Sequence, residues 1–307
     1  MHLNEIRVSV GLPVYNGEHG IHKAIRSLLC QSHKNLEIVI SDNASTDGTK
    51  EICSDYCGKD ARLRYIRQSS NRGPVANFKT VLELANGEYF MWLGHDDELS
   101  PTYIEECLQY FLTTQGAALV AGQAIYERDG TEVYRGKEIN ICDASGAERL
   151  ISYYRSVSDN GTFYGLMRRE NLLQCQFRAV MGSDWLNIAA IAFTGNVATL
   201  STVFVRRALG GSSASYEKIC AALGLPRIQA HFPHVTIAIC AATDIVWRAR
   251  HFRSIGMGDR VKLAWRAQRI IRLRHGSSLL GILRKVGILM SKSLHGRARQ
   301  LKAAIFG

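Results

Sequence analysis

What this sequence lacks narrows its reading first. Its eight cysteines (30, 53, 57, 107, 142, 175, 220 and 240) include no CxxC pair and no repeated spacing, so neither a zinc site nor a disulfide framework is indicated. Reduced, mostly buried thiols are the simple reading. Cys53 and Cys57 would share a helix face, but helical neighbours four apart are badly oriented for bridging. No uncharged apolar run approaches the roughly 18 to 20 residues of a membrane span. The opening MHLNEIRVSVGLP carries acidic and polar groups where a secretory leader needs a basic start and an apolar block, so it reads as the first strand of a mature domain. Internal repeats and long low-complexity linkers are missing as well.

Acidic residues are nearly absent from one region alone. From Arg248 to Gly307 there are 15 Lys and Arg against a single acid, Asp259, whereas Met1 to Trp247 carries 23 basic and 26 acidic residues. The formal charge of +11 and pI near 9.4 therefore belong to the C-terminal fifth, not to the whole chain. In SSLLGILRKVGILMSKSL (277–294) the residues Leu279, Ile282, Leu283, Val286, Met290 and Leu294 form one stripe, with Arg284, Lys285 and Lys292 off it. Such a helix can lie on an anionic membrane or pack on the catalytic body or a partner. Nucleic acid is not expected, because the tail has few aromatics and no known recognition module.

What is present begins with alternation. At 307 residues and 46% hydrophobic content, a sizeable core is expected. Ile6, Val8 and Val10 alternate with polar residues; Ile21, Ala24, Ile25, Leu28 and Leu29 follow at helical spacing. LEIVIS (36–41), LRYIRQ (63–68), YFMWL (89–93) and ALVAG (118–122) read as strands, separated by helices at DGTKEICSDYC, NRGPVANF onward and YIEECLQYF. Ser100 and Pro101 are expected to supply the N-cap and first turn of the last of these. Strand and helix in alternation argue for a mainly parallel sheet covered on both faces. Further on, Asp129-Gly130 marks a hairpin, and helices are expected around Ala147 to Tyr154 and Asp184 to Phe193.

In such a sheet, ligands sit beyond the carboxyl ends of the strands. Tyr15 and Asn16, Asp42 and Asn43, Asn71 and Arg72, and Asp96 and Asp97 each follow a different strand, so four polar clusters converge on one rim. Asp42 ends a buried strand, where a carboxylate is a poor strand former unless it faces the rim. Capping of the next helix suits Asp47 or Thr46 better. Arg72 precedes a helix whose amino end can hold an anion; it reads as a phosphate contact or as a surface arginine beside a turn. Asp96 and Asp97 could hold a hard divalent cation that keeps water and phosphate as its other ligands, or be solvated acids before a helix. Asp184 is either a general base or the N-cap of the apolar helix after it.

LPVYNGE (12–18), ISDNASTDGT (40–49), NRGPVANF and GEYFMWLGHDDELSP together resemble the family 2 glycosyltransferases, inverting enzymes of the GT-A fold. The likeness covers most of the first 120 residues in order and continues more weakly to about residue 207. It implies that Pro13, Val14 and Tyr15 wall the nucleotide base, that Glu18, Asn43 and Arg72 also serve the donor, and that Asp42 accepts the uracil imide. It further implies that Asp97 binds Mn²⁺ or Mg²⁺, that Asp96 touches ribose or donor sugar, and that Asp184 is the base. His95 stands where the family's motif has its first acid, and it is left out of the metal set. Arg206 and Arg207, in VFVRR, correspond loosely to a basic segment that meets diphosphate.

The resulting expectation is a GT-A catalytic domain over 1–230, with a nucleotide-binding half (1–120) and an acceptor-side half (121–230), followed by a basic helical extension (231–307). The expected activity is metal-dependent, inverting hexosyl or N-acetylhexosaminyl transfer from a nucleotide sugar, UDP-linked by preference. The expected acceptor is a glycan of bacterial surface polysaccharide on a polyprenyl carrier. The expected location is cytoplasmic, peripheral to the inner face of the cell membrane. A sugar-nucleotide pyrophosphorylase would want a glycine-rich phosphate loop where GLPVYNGE stands, and a dinucleotide dehydrogenase would want G-x-G-x-x-G. A non-catalytic basic adaptor is the rival from outside enzymes.

Overall fold

Alternation inside single strands builds three layers. The computed structural model describes residues 3–159, 161–209 and 215–275. Strands β1 (Val8–Val14), β2 (Leu36–Asp42), β3 (Leu63–Arg67) and β4 (Tyr89–Trp92) lie parallel in the order β3-β2-β1-β4. Because successive side chains point to opposite faces, Val8, Val10, Leu12, Ile38, Ile40 and Met91 enter one core, and Val39, Phe90 and Trp92 enter the other. Helices α1 (Ile21–Leu29), α2 (Thr49–Lys59), α3 (Pro74–Leu84) and α4 (Tyr103–Thr113) connect and cover these strands. The first core takes residues of α1 and α4, and the second takes Val81 and Leu82 of α3.

Beyond β4 the sheet is mixed. It continues through β5 (Glu98–Leu99), β6 (Ala117–Arg128), β7 (Thr131–Arg135), β8 (Leu166–Arg168) and β9 (Asn196–Ala208). The path is β4-β8-β6-β9-β5, with β7 paired to β6. β8 runs antiparallel to both β4 and β6, while β6 and β9 run parallel to each other. The parallel expectation thus holds for the first half. It fails where the chain re-enters the sheet as the three-residue β8. The hairpin at Asp129 and Gly130 forms as expected, both residues having positive φ (52° and 76°).

The remaining helices are α5 (Gly146–Ser156), α6 (Arg169–Leu173), α7 (Ser183–Thr194), α8 (Tyr216–Leu223), α9 (Ile228–His231), α10 (Pro233–Thr243) and α11 (Met257–Arg274). Leu263, Ala264, Ala267 and Ile271 of α11 are buried in the same core as α5, α7 and α10, so the start of the basic region packs on the preceding part of the chain. The stripe at 277–294 lies outside the described residues. No helix among the described residues is long and apolar enough to cross a membrane.

The N-terminus of α4 differs from expectation. The helix begins at Tyr103 with Thr102 at the N-cap, and Ser100 extends strand pairing instead: its N–H donates to Phe204 O (2.9 Å) and its Oγ accepts from Phe204 N (3.0 Å). A residue held by two bonds to a strand is not free to cap a helix.

Trp92 links the sheet to the floor of the site. It is fully buried, stacks on Phe163 (centroids 4.7 Å apart, 7° between planes) and donates its indole N–H to Phe78 O at 3.0 Å. Trp92→Ala removes this packing and the second hydrogen bond on the Phe78 carbonyl. We expect a loss of about 3 to 5 kcal/mol of stability, read by urea unfolding; a loss below about 1 kcal/mol would contradict the role given to it.

Candidate active site

Strand register brings the first residues together. Val14, Asp42 and Arg67 are aligned neighbours at the carboxyl ends of β1, β2 and β3. The buried Asp42 carboxylate accepts from Ser45 N (2.8 Å) and Tyr65 Oη (2.6 Å), and lies 3.3 Å from the Arg67 guanidinium. Two carboxylate oxygens offer about four acceptor positions, of which three are taken, and the side chain itself has no exposed surface. Pro13 and Val14 are buried within β1, and Tyr15 is the one of the three that presents surface.

The loops behind that rim are laced to each other. Asn16 N donates to Ser45 Oγ (2.9 Å), Gly17 N to Thr49 Oγ1 (2.9 Å) and Glu18 N to Asp47 Oδ2 (3.1 Å). Glu18 Oε2 accepts from Gly48 N at 2.8 Å, which puts its negative charge at the amino end of α2. Asp47 accepts from the N–H and hydroxyl of Thr49, the first residue of α2, but the N-cap expected of Asp47 or Thr46 is Gly48, with no side-chain cap. The Asn43 side chain holds the next loop, donating to Asn71 Oδ1 and Gly73 O and accepting from Arg72 N. Arg72 itself is exposed just before α3, whose first residue is Pro74.

After β4 the chain turns through Gly94 to Asp97, with Asp97 N donating to Gly94 O at 3.1 Å. A side chain at Gly94 would stand 2.6 Å from Asp97 Oδ2 and 3.2 Å from Asp96 Oδ1, so the two carboxylates converge over a position that only glycine fits. His95, left unexplained by the sequence, lies against Gly17, where a Cβ would come within 2.8 Å of its ring. It joins the acidic turn to the loop after β1. Burial lifts the Asp97 carboxyl above its ordinary range, and Arg207 pulls in the opposite direction.

The Arg207 contact follows from register. β5 pairs antiparallel with β9 so that Glu98 faces Arg206; one step further along the same register sets Asp97 opposite Arg207. The Arg207 Nε then lies 3.3 Å from Asp97 Oδ2. Its guanidinium carbon stands 4.1 Å from the Tyr164 ring centroid and 5.5 Å from that of Tyr126, which puts a fixed cation between aromatic faces. Arg206 points elsewhere, pairing with Glu127.

On the other side of Tyr164 is a cavity of about 260 Å³, walled by Phe78, Phe163, Phe177, Met181 and Trp185 and containing Asp184. Asp184 is not an N-cap: Gly182 takes that position with φ 71°, and Asp184 lies inside the first turn of α7. Burial lifts its carboxyl, while backbone N–H groups at the helix start and the charge of Arg207 lower it. Arg207 and Tyr164 therefore feel the charges of two acidic stations, Asp97 and Asp184, and Tyr164 that of Asp96 as well.

Among the described residues, no three His, Cys, Asp or Glu side chains converge on a preformed metal site. The donor set still suits Mn²⁺ or Mg²⁺. These ions take one or two carboxylates and complete their shell with phosphate and water, and the Gly94 turn aims Asp96 and Asp97 at a common point. The sequence brings Asp42, Tyr15, Asp96, Asp97 and Asp184 into view; it does not reveal Tyr65, Tyr126 and Tyr164, or the pairing of Arg207 with Asp97. The register rule above could have found that pairing once β5 was recognised as a strand of two residues.

Comparison with known proteins matches this geometry. The description "Glycosyl transferase family 2" fits residues 9–174. The chain is 34% identical over 198 residues to the GalNAc(5)-diNAcBac-PP-undecaprenol beta-1,3-glucosyltransferase of Campylobacter jejuni, covering 63% of this chain and 58% of that protein. An uncharacterized glycosyltransferase of Haemophilus influenzae is 30% identical over 131 residues, covering 43% of this chain and 52% of that one. The chain spans about half the length of the curated relatives it matches. Among solved structures, S. aureus TarS 1-349 in complex with UDP-GlcNAc superposes with TM-score 0.60 at 18% identity, over 84% of this chain and 70% of that one. The mannosyltransferase PcManGT of Pyrobaculum calidifontis, in complex with GDP-Man and Mn²⁺, gives 0.55 at 17% identity, over 97% and 83%. These likenesses show a shared GT-A fold, and with the profile match spanning more than half of its length, the chain belongs to glycosyl transferase family 2.

Proposed function

We propose that this protein is a metal-dependent, inverting glycosyltransferase that moves a sugar from a UDP-linked donor to a glycan acceptor. The observation that carries the reading is that two acidic stations, one with Asp97 and one with Asp184, whose carboxyls are lifted by burial, both lie within reach of the Arg207 charge. One station suits a diphosphate and its cation, and the other suits a hydroxyl about to lose a proton. Tyr15 and Asp42 would hold the uracil, Arg72 the phosphates, and Asp96 the ribose or donor sugar. A divalent cation held by Asp97 would supply charge neutralisation on the diphosphate when bound.

Asp184 would take the proton of the acceptor hydroxyl as its oxygen attacks the anomeric carbon, opposite the departing diphosphate. A carboxyl lifted by burial is a better base than a solvated one, and the largely apolar walls of its cavity would limit competing water. Arg207 has a second part. Its bond to Asp97 holds both charges in the absence of donor; an incoming diphosphate gives the guanidinium a stronger, bidentate partner and frees Asp97 for the cation. Donor and metal would then bind as a pair.

The acceptor we propose is a saccharide on a polyprenyl diphosphate carrier, in the assembly of a bacterial surface polysaccharide at the cytoplasmic face of the membrane. Support comes from the Campylobacter relative, whose name describes an undecaprenol-linked acceptor.

Thermal shift with UDP and Mn²⁺ tests the whole reading: stabilisation by the two together is expected, and no response to either, alone or together, would sink it. Asp97→Ala should remove the metal-dependent part of that response. Asp184→Asn should keep it while transfer falls about 100-fold or more; full turnover in this variant would disprove the base assignment. Since Asp184 must be deprotonated to act, kcat/KM should rise with pH through a value above the 3.8 of an ordinary aspartate and then level off. Arg207→Gln should strengthen binding of Mn²⁺ alone, measured by calorimetry, and weaken UDP binding; unchanged Mn²⁺ affinity would mean that Arg207 does not occupy the carboxylate.

A further inference from the structure

Thirteen large hydrophobic side chains are exposed among the described residues, and six of them crowd into a short span: Ile239, Trp247, Met257, Val261, Trp265 and Leu273. Scattered single exposures are ordinary, but this concentration is not. Met257, Val261, Trp265 and Leu273 recur at multiples of four along α11, with Arg269 completing the series and placed over the Trp265 ring at 5.4 Å. Trp265, Arg269 and Leu273 lie opposite the buried Leu263, Ala264, Ala267 and Ile271, which fix the helix to the body, while Val261 and Met257 lie progressively nearer the packed side. Trp247, 69% exposed, ends a π-turn (Asp244–Arg248) that follows α10 and is tied to α11 by Arg260, whose Nη1 reaches Val246 O.

The charge around this surface is mainly positive. Arg248, Arg250, Arg253, Lys262 and Arg269 are exposed; of the acids nearby, Asp244 is buried against Arg178, Asp259 pairs with Lys262 at 3.6 Å, and Glu148 of α5 pairs with Arg266 at 2.8 Å. Exposed tryptophans beside Arg and Lys on a helix whose other face is packed are the features of a surface at a membrane–water interface. Residues 276–307 hold six Lys and Arg and no acid, so charge disfavours that segment as the cover of this face. A polyanionic surface is the complement.

We propose that the outer face of α11, with Trp247, is the surface by which this protein lies on an anionic bilayer, and that it brings the Asp184 cavity to the lipid. The helix of 18 residues is about 27 Å long and ends at His275. The His275 ring stacks on His234 (4.0 Å) and stands 5.4 Å from Trp185, which lines the cavity beside Asp184. The carboxyl end of the docking helix is thus at the cavity mouth. An acceptor whose carrier chain is sunk in the bilayer would meet Asp184 without leaving the interface. This last consequence rests on the transfer reading; the docking surface itself does not.

Co-sedimentation of the full chain with phosphatidylglycerol-containing vesicles, against pure phosphatidylcholine, tests it. Binding is expected to the anionic vesicles, and equal binding to both would overturn a charge-selective surface. The double variants Trp247→Ala/Trp265→Ala and Lys262→Glu/Arg269→Glu should each lower the bound fraction about ten-fold while the thermal response to UDP and Mn²⁺ stays intact. Unchanged sedimentation of either variant overturns the proposal. A chain ending at residue 275 should still bind; if it does not, the C-terminal segment is the anchor and the proposal fails. Conversion of a dimer to a monomer by Trp247→Ala/Trp265→Ala, with vesicle binding retained, would identify a second copy as the occupant. Loss of the UDP response in the unmodified protein would count against the transfer reading and leave the docking surface standing.

Discussion

The geometry of this site hangs on one ion pair, Arg207 with Asp97, made inside an aromatic clamp. A guanidinium buried without a partner would be strongly unfavourable, and so would the Asp97 carboxylate, whose protonation burial already favours. Each tolerates its place because of the other. The pair in turn depends on a strand of two residues, β5, whose register with β9 puts the acid and the base face to face. Glu98 and Leu99 therefore matter more than their length suggests.

A pair of this kind contributes little net stability compared with an apolar replacement of the same shape. On the proposed reading, its value is in being breakable. Arg207 is held by one hydrogen bond to Asp97 at 3.3 Å and a long one to Tyr126 at 3.4 Å, with ring faces filling the rest of its surroundings. Aromatic faces hold a cation without consuming its N–H groups, so donors remain for a phosphate. The Asp42 carboxylate shows the contrasting condition: with Ser45, Tyr65 and Arg67 all engaged on it, it is a rigid acceptor and not a movable one.

Much of the first half was legible in the sequence because its signals are local. Alternating Val, Ile and Leu in β1 and β2, the Gly and Pro before α3, and acids directly after apolar runs each fix structure within a few residues. The family resemblance and the rim argument pointed to the same positions. What stayed hidden depends on long-range pairing. Asn43 and Glu18 look like ligand contacts in the sequence, yet their polar atoms brace the Asn71–Gly73 loop and the amino end of α2. Ser100 has the composition of a cap and serves a strand 104 residues away. Asp184 likewise has the composition of a cap, but the left-handed Gly182 takes that position two residues earlier and leaves the acid in the cavity.

The short strand β8 has a consequence of its own. Within the sheet, and among the described residues, Leu166 to Arg168 is the one bridge between the four parallel strands and the β6-β9-β5 group, through two aligned pairs on each side. Asp42 belongs to one group, Arg207 to the other, and the Asp97 turn spans from β4 to β5 between them. β8 is therefore a gauge block: its register sets the spacing of the two halves of the site. Lineages could reshape either half by loop exchange and keep the reacting distance, so long as those three residues neither slip nor lengthen.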